Sequence, residues 1–183
     1  SLLASRLPGN LVKNMQLKGK KPAEEAPEYE ELQDHLVIIG FGVNGRNVAK
    51  AARQANIPYV ILELNAETVR EEKAKGEPIY YGDAVHLNVL GHLHIQKARV
   101  AVIAISDPTA TKRIIGNIRE LSKTVHLIVR TRFIQEMEEN LHMGADEVIP
   151  EEFETSIEIF TRVMQKYLVP TDEIDEFTRT IRS

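Results

Sequence analysis

From residue 35 onward, short runs of branched aliphatic residues alternate with stretches whose apolar positions recur at helical spacing. The runs predict strands at 35–40 (HLVIIG), 58–63 (PYVILE), 78–81 (PIYY), 99–105 (RVAVIAI), 125–130 (VHLIVR) and 146–149 (DEVI). They are apolar almost throughout, as strands covered on both faces must be, and do not show the in-out alternation of a half-exposed sheet. Between the first two, Gly45, Val48, Ala49, Ala52 and Ala55 fall on one stripe, while Asn47, Lys50, Arg53 and Gln54 face away. Small residues on the buried stripe let such a helix lie close to a sheet. Further helices are expected near 66–75, 86–92, 108–122 and 133–143, the last stopped by Gly144.

Strand and helix alternating at this rhythm give an α/β fold with right-handed crossovers: a doubly wound, open parallel sheet of six strands, Rossmann-like in its connectivity. The domain is expected to span 35–150. In 151–183, Phe153, Ile157, Phe160, Met164, Tyr167 and Leu168 form a helical stripe, followed after Pro170 by Ile174, Phe177 and Ile181. This segment is more apolar than a solvent-facing helix needs to be. It either packs on its own domain or crosses to a second copy as a dimerisation helix.

Residues 1–34 have a different texture. Ser1 to Lys21 holds Arg6, Lys13, Lys18, Lys20 and Lys21 with no acid, and Pro22 to Asp34 holds Glu24, Glu25, Glu28, Glu30, Glu31 and Asp34 with no base. The acidic stretch, broken by Pro22 and Pro27, reads as a solvated linker. The basic start reads either as a tail or as a stub just cytoplasmic of a membrane helix, where positive charge collects.

Charge and composition then narrow the chemistry. The chain has 183 residues, of which 23 are Lys or Arg and 27 Asp or Glu, for a net charge of −4, so the electrostatic footprint of a nucleic-acid binder is missing. There is no cysteine, hence no disulfide, thiolate metal site or thiol sensor. No stretch approaches the roughly 18 to 20 apolar residues that cross a bilayer. His92 and His94 resemble a metal pair but have no companions at ligand spacing.

Gly40-Phe41-Gly42-Val43-Asn44-Gly45 is a G-x-G-x-x-G between an expected strand and an expected helix. In that setting Gly40 makes the tight turn, Gly42 lets backbone approach a phosphate, and Gly45 brings helix against strand. Free N–H groups and the positive end of the helix dipole attract phosphate oxygen, and Arg46 stands ready to add charge. The alternative is a plain structural turn. Glu63, at the end of the second strand, sits where a carboxylate accepts hydrogen bonds from the ribose hydroxyls, and its charge disfavours the 2′-phosphate of NADP. Tyr81-Gly82-Asp83-Ala84 puts a turn and an acid at the same sheet edge, beside the expected adenine, with Asp83 either reading the base or capping the next helix. Ser106-Asp107-Pro108 and Arg130-Thr131-Arg132 follow the fourth and fifth strands, so an acid and two arginines converge on the crevice. There they either bind an anionic ligand or form surface ion pairs.

Taken together, GFGVNG, VILELN, YYGDA, the apolar fourth strand with SDP, VRTR and GADEVIPEEF resemble the nucleotide-binding module called RCK or TrkA-N, over about His35 to Leu168. Within that family the pattern is most similar to the C-terminal cytoplasmic domain of Kef-type potassium–proton antiporters. The resemblance implies a homodimer at the cytoplasmic face of the inner membrane, joined through residues 1–34 to a membrane transport domain of the same protein. It implies AMP or NAD(H) on Gly40, Phe41, Gly42, Asn44, Gly45, Glu63, Leu64, Asp83 and Ala84. It further points to glutathione or its adducts as an effector near Asp107 and Arg132, and to an ancillary flavoprotein as a partner of some members. One departure is Val43, which stands where glutathione-gated members often carry arginine.

The expected function is therefore a non-catalytic ligand sensor that gates potassium efflux. The alternative with the same cradle is an NAD-dependent oxidoreductase, but the chain offers no second domain for a substrate and no Tyr-x-x-x-Lys. A redox-sensing DNA-binding repressor is a third reading, without a helix-turn-helix segment to support it.

Overall fold

The computed structural model describes residues 32–182. The basic stretch and most of the acidic linker lie outside the described residues.

Six parallel strands form one sheet: β1 (Leu36–Ile39), β2 (Tyr59–Glu63), β3 (Ile79–Tyr81), β4 (Val100–Ile103), β5 (His126–Thr131) and β6 (Glu147–Pro150). Their order is β3-β2-β1-β4-β5-β6, the doubly wound arrangement in which the chain reverses direction of winding between β1 and β4. Register is set at that centre, where Ile39 pairs with Leu62 on one side and Ile103 on the other. All six expected strands are present, with small shifts at their ends.

Successive side chains on a strand face opposite ways, and the sequence fills both sides. Val37, Ile39, Val60, Leu62, Ala101, Ile103, Leu127 and Val129 pack under α3 (Leu87–His92) and α4 (Pro108–Leu121), whose Ile114, Ile115 and Ile118 are fully buried. Leu36, Ile38, Ile61 and Ile79 face the other way, under α1 (Val43–Gln54) and α2 (Ala66–Ala74). The small stripe of α1 behaves as its spacing predicts: Gly45, Ala49 and Ala52 are buried against the strands. Val48 is only half-buried and Ala55 is exposed, so the buried stripe is narrower than expected.

The helix expected over 133–143 is broken. A 3₁₀ turn (Ile134–Glu136) leads into a short α5 (Met137–His142), and the Ile134 N–H at its start donates to the Glu152 carboxylate at 2.8 Å. Gly144 ends α5 with φ +114°, and a Cβ there would lie 2.9 Å from Arg119 Cγ, so the stop has both a conformational and a steric cause. The C-terminal stripe folds as two helices, α6 (Glu151–Lys166) and α7 (Thr171–Arg182), joined at Leu168, which has φ +59°. Phe160 and Phe177 meet edge to face, and Ile157 and Ile174 are buried. Ile159, Val163, Tyr167, Leu168 and Ile181 remain exposed.

On the α1 side the sheet is covered only halfway. Val100, Val102, Ile128 and Ile149 of β4, β5 and β6 form the floor of a groove of about 890 Å³, walled by α1 and by the start of α6. No helix of the described residues is long and apolar enough to cross a membrane.

His35, just before β1, is fully buried, and one ring nitrogen pairs with the Leu93 carbonyl at 2.9 Å while Nδ1 has no partner. Burial pushes its pKa below the ordinary histidine value. A base depressed in the folded state binds protons more readily when unfolded, so its neutral burial stabilises above about pH 6.5 and is lost as pH falls below that. Carboxylates held low by partners, such as Glu72 beside Arg46 and Lys75, act only further into acid. Thermal melts should therefore show stability falling between about pH 7 and 5, and His35→Leu, though less stable at neutral pH, should flatten that window. An unchanged slope in the variant contradicts this assignment.

Candidate functional site

The β1–α1 turn is dictated by close backbone approach. Gly40 has φ +95°, and a Cβ on it would lie 2.7 Å from Ile105 Cγ2. At Gly45 a Cβ would lie 2.0 Å from the Gly40 carbonyl oxygen, so the first turn of α1 touches the strand end that precedes it. Gly42 is different: its φ is −72° and a Cβ would meet nothing within 4 Å. Two glycines thus shape the loop, while the third leaves open space above it.

Gly42 is also the N-cap of α1, and no side chain caps that end or places an acid in its first turn. Contrast α2, where Asn65 Oδ1 accepts from the Glu67 and Thr68 N–H groups at 3.0 Å each. At α4, Asp107 Oδ1 accepts from the Ala110 N–H at 2.9 Å. The unsatisfied donors and dipole of α1 face the sheet end with no anion of the described residues on them, which fits a phosphate.

Glu63 closes the opposite side. Its carboxylate accepts from the Phe41 N–H at 2.6 Å and, through the other oxygen, from the Asn65 N–H at 2.7 Å. Each oxygen retains a lone pair for a hydroxyl donor. Phe41 itself is buried in the core under α1, so only its backbone belongs to the loop surface. Leu64, next along, is 58% exposed.

At the end of β3, a Cβ on Gly82 would lie 2.8 Å from Val89 Cγ1 and 3.0 Å from Leu62 Cδ1, so a side chain there would have to displace those two chain ends. Asp83 does not cap α3, whose N-cap is His86 without a side-chain bond. Instead it turns the chain locally, Oδ1 accepting from the Val85 N–H at 3.0 Å. Ala84 is buried behind it.

One basic expectation changes. Arg46 does not point at the cradle; it pairs with Glu72 at 2.8 Å and lies 4.6 Å from the Phe41 ring centroid. Asp107 is committed to capping α4, and Arg132, beyond the end of β5, lies 5.1 Å from the Phe133 ring centroid. Arg130 is the arginine at the crevice. Its guanidinium donates to Ser106 Oγ at 2.9 Å, to the Ile105 carbonyl at 3.2 Å and to Glu151, while Glu151 Oε1 accepts from Asn44 Nδ2 at 2.7 Å. The hydrogen bond from Arg130, with that from the Asn44 amide and the Arg130 charge, holds the Glu151 carboxyl below the usual carboxylate range despite partial burial.

Residues 36–151 match the family model of the TrkA-N domain. The chain belongs to the TrkA-N domain family. This TrkA-N chain is 32% identical over 155 residues to a putative K(+) efflux antiporter KefB of Alkalimonas amylolytica, covering 85% of the chain and 23% of that protein. It is 30% identical over 156 residues to K(+) efflux antiporter 2, chloroplastic, of Arabidopsis thaliana, covering 85% of the chain and 13% of the relative. It is 25% identical to a glutathione-regulated potassium-efflux system protein of Haemophilus influenzae, covering 84% of the chain and 25% of the relative. The chain therefore spans about a quarter or less of the curated relatives it matches. Among solved structures, the Shewanella denitrificans Kef CTD in AMP-bound form superposes with a TM-score of 0.70 at 16% identity, covering 81% of this chain and 90% of that one. The TrkA-N domain of the Escherichia coli inner membrane protein ybaL superposes with a TM-score of 0.67 at 21% identity, covering 76% of this chain and 99% of that one.

In this TrkA-N domain, sequence reasoning missed Glu151 as a partner of the glycine loop. The two lie 107 positions apart. The available signal was an acid directly after the last strand, at the crevice end of the sheet.

The glycines separate fold from ligand contact. Gly45→Ala forces backbone apart and should cost on the order of 3 kcal/mol, lowering Tm by about 10 °C, whereas Gly42→Ala should shift Tm by less than about 2 °C. Equal melting shifts for the two in calorimetry contradict the close-approach account.

Proposed function

We propose that this chain is the ligand-sensing regulatory domain of a potassium efflux antiport system, binding an adenine nucleotide, AMP or NAD(H), that it reads and does not consume. The observation that carries the reading is the uncapped start of α1, with Gly42 open to solvent, facing the Glu63 carboxylate across the ends of β1 and β2. In this reading a phosphate takes the amides from Gly42 to Gly45, Gly40 and Phe41 shape the loop, Glu63 accepts the ribose hydroxyls, and Leu64, Asp83 and Ala84 flank the base. Support comes from potassium efflux antiporters among the relatives, from the AMP of the Kef CTD and from the NAD of the GsuK channel, whose fold matches with a TM-score of 0.62.

The transport unit then belongs to the part of the relatives that this chain does not span, with residues 1–34 as the connection and the domain on the cytoplasmic side. The exposed apolar positions of α6 and α7 suit pairing with a second copy, which makes a homodimer the assembled form. Glutathione or an adduct is the second ligand, near Arg132 and Asp107; the name of the Haemophilus influenzae relative supports this choice. Ligands gate only through different affinities for the two states of the dimer.

A saturating nucleotide at about 100 times its Kd should stabilise the fold by about 2.7 kcal/mol. Thermal-shift titration should show AMP or NADH raising Tm, NADPH failing to do so, and Glu63→Ala weakening the response about tenfold or more. Indifference to AMP and NADH alike contradicts the proposal, and turnover of NADH with a carbonyl panel would favour an oxidoreductase. Arg132→Ala should weaken glutathione binding by about tenfold with nucleotide affinity little changed; equal loss of both removes Arg132 from the effector site.

A further inference from the structure

Among the described residues, three buried side-chain atoms have no hydrogen-bond partner: His35 Nδ1, Arg130 Nε and Asn140 Oδ1. A polar atom shut away from water and left unpaired is costly, so each one calls for a physical reason. His35 pairs through its other ring nitrogen, and burial keeps it neutral, so it leaves over only one nitrogen. Arg130 and Asn140 are a different case. Both line one small cavity between the ends of β4 and β5, the start of α4, and α5.

The cavity has a volume of about 10 Å³, close to what a single water molecule needs. Its walls are polar and deep: Asn140 is 2% exposed, and Thr111 and Thr131 beside it are buried. The other guanidinium nitrogens of Arg130 are engaged, Nη1 with Ser106 Oγ and the Ile105 carbonyl and Nη2 with Glu151. Thr111 Oγ1 donates to the Asp107 carbonyl at 2.8 Å and Thr131 Oγ1 to the Phe133 carbonyl at 3.3 Å, so each hydroxyl oxygen still has lone pairs to offer. What lines the cavity is therefore one cationic donor, one amide acceptor and two hydroxyl acceptors.

That set selects its occupant. Chloride accepts from the Arg130 Nε–H but meets the Asn140 oxygen with lone pair against lone pair. A sodium or ammonium ion suits the Asn140 oxygen but sits against the guanidinium charge. Water does both jobs. It accepts from Nε–H, gives one hydrogen to Asn140 Oδ1 and has its second for a threonine hydroxyl, which makes the three bonds usual for a buried water.

We propose that one water molecule is a fixed part of this fold, held between Arg130 Nε and Asn140 Oδ1, and that Asn140 acts through it as a positioning residue for Arg130. Anchored on that side, the guanidinium presents Nη2 to Glu151 at the start of α6, and α5 is tied through the water to the end of β5. The inference stands apart from the nucleotide reading, since neither the glycine loop nor a bound nucleotide enters it.

The test is a crystal structure of the 183-residue chain at a resolution that shows ordered solvent, with Asn140→Asp, which keeps an acceptor oxygen, and Asn140→Leu, which keeps the branched shape and loses it. The wild type should show one solvent peak within about 3.2 Å of both atoms, retained in Asn140→Asp and missing in Asn140→Leu. In solution, the Arg130 Nε–H resonance, assigned by its loss in Arg130→Lys, should show cross-relaxation to a bound water. Asn140→Leu should abolish that cross-peak, move the Nε–H resonance and lower Tm by about 5 °C, while Asn140→Asp keeps the cross-peak. Three results overturn the inference: a direct Arg130–Asn140 bond with no solvent between them, an ion at the position revealed by anomalous scattering from crystals grown in bromide, or an Nε–H resonance unmoved in Asn140→Leu. If Asn140→Leu does not fold, the wild-type solvent peak and its cross-relaxation decide the matter, and the lack of either counts against it.

Discussion

The contact on which the molecule turns is the one between two glycines. The start of α1 packs so closely on the end of β1 that a single carbon added to Gly45 would lie 2.0 Å from the Gly40 carbonyl. That closeness aims the free amides of α1 across the ends of the parallel strands. It also fixes where everything else must be: Glu63 reaches the Phe41 N–H only because the loop stays low over β2. The small stripe of Gly45, Ala49 and Ala52 extends the same approach along the helix.

A second set of contacts joins this loop to the C-terminal helices. Asn44 and Glu151 connect the first helix to α6, and Arg130 anchors both to the sheet. α6 then carries Ile159 and Val163 outward on an exposed apolar face. In the proposed sensor, any change that a nucleotide imposes on the loop has a short path to the helix expected to meet a second copy. The groove over Val102, Ile128 and Ile149 runs along the same wall and reaches Glu151 at one end.

Much of this was legible in the sequence because the forces behind it are local. Strands covered on both faces show as unbroken aliphatic runs, and the glycine loop and Gly144 stop show through backbone conformations that side chains forbid. Glu63 was legible because a strand end has a fixed place relative to the loop. The Glu151 bridge was not, since it depends on how β6 delivers α6 against α1. Nor was the half-bare sheet, which arises because the crossovers after β4 and β5 both lie on the α4 face, where Lys112 of α4 pairs with Glu139 of α5, and the β4–β6 face beside α1 is left uncovered. Arg46 misled for a related reason: its neighbour in sequence is the cradle, but its partner in space is Glu72. Asp83 likewise resembles a helix cap by position, although α3 begins too late to use it.

The central claim is that the amides at the start of α1 and the Glu63 carboxylate hold an adenosine phosphate between them. A crystal structure of the protein grown with AMP tests it most directly. The account predicts phosphate density on the N–H groups of Gly42 to Gly45, and ribose hydroxyls on Glu63. Nucleotide density seated elsewhere, such as in the groove along α1, or a glycine loop left bare at saturating AMP, would contradict it.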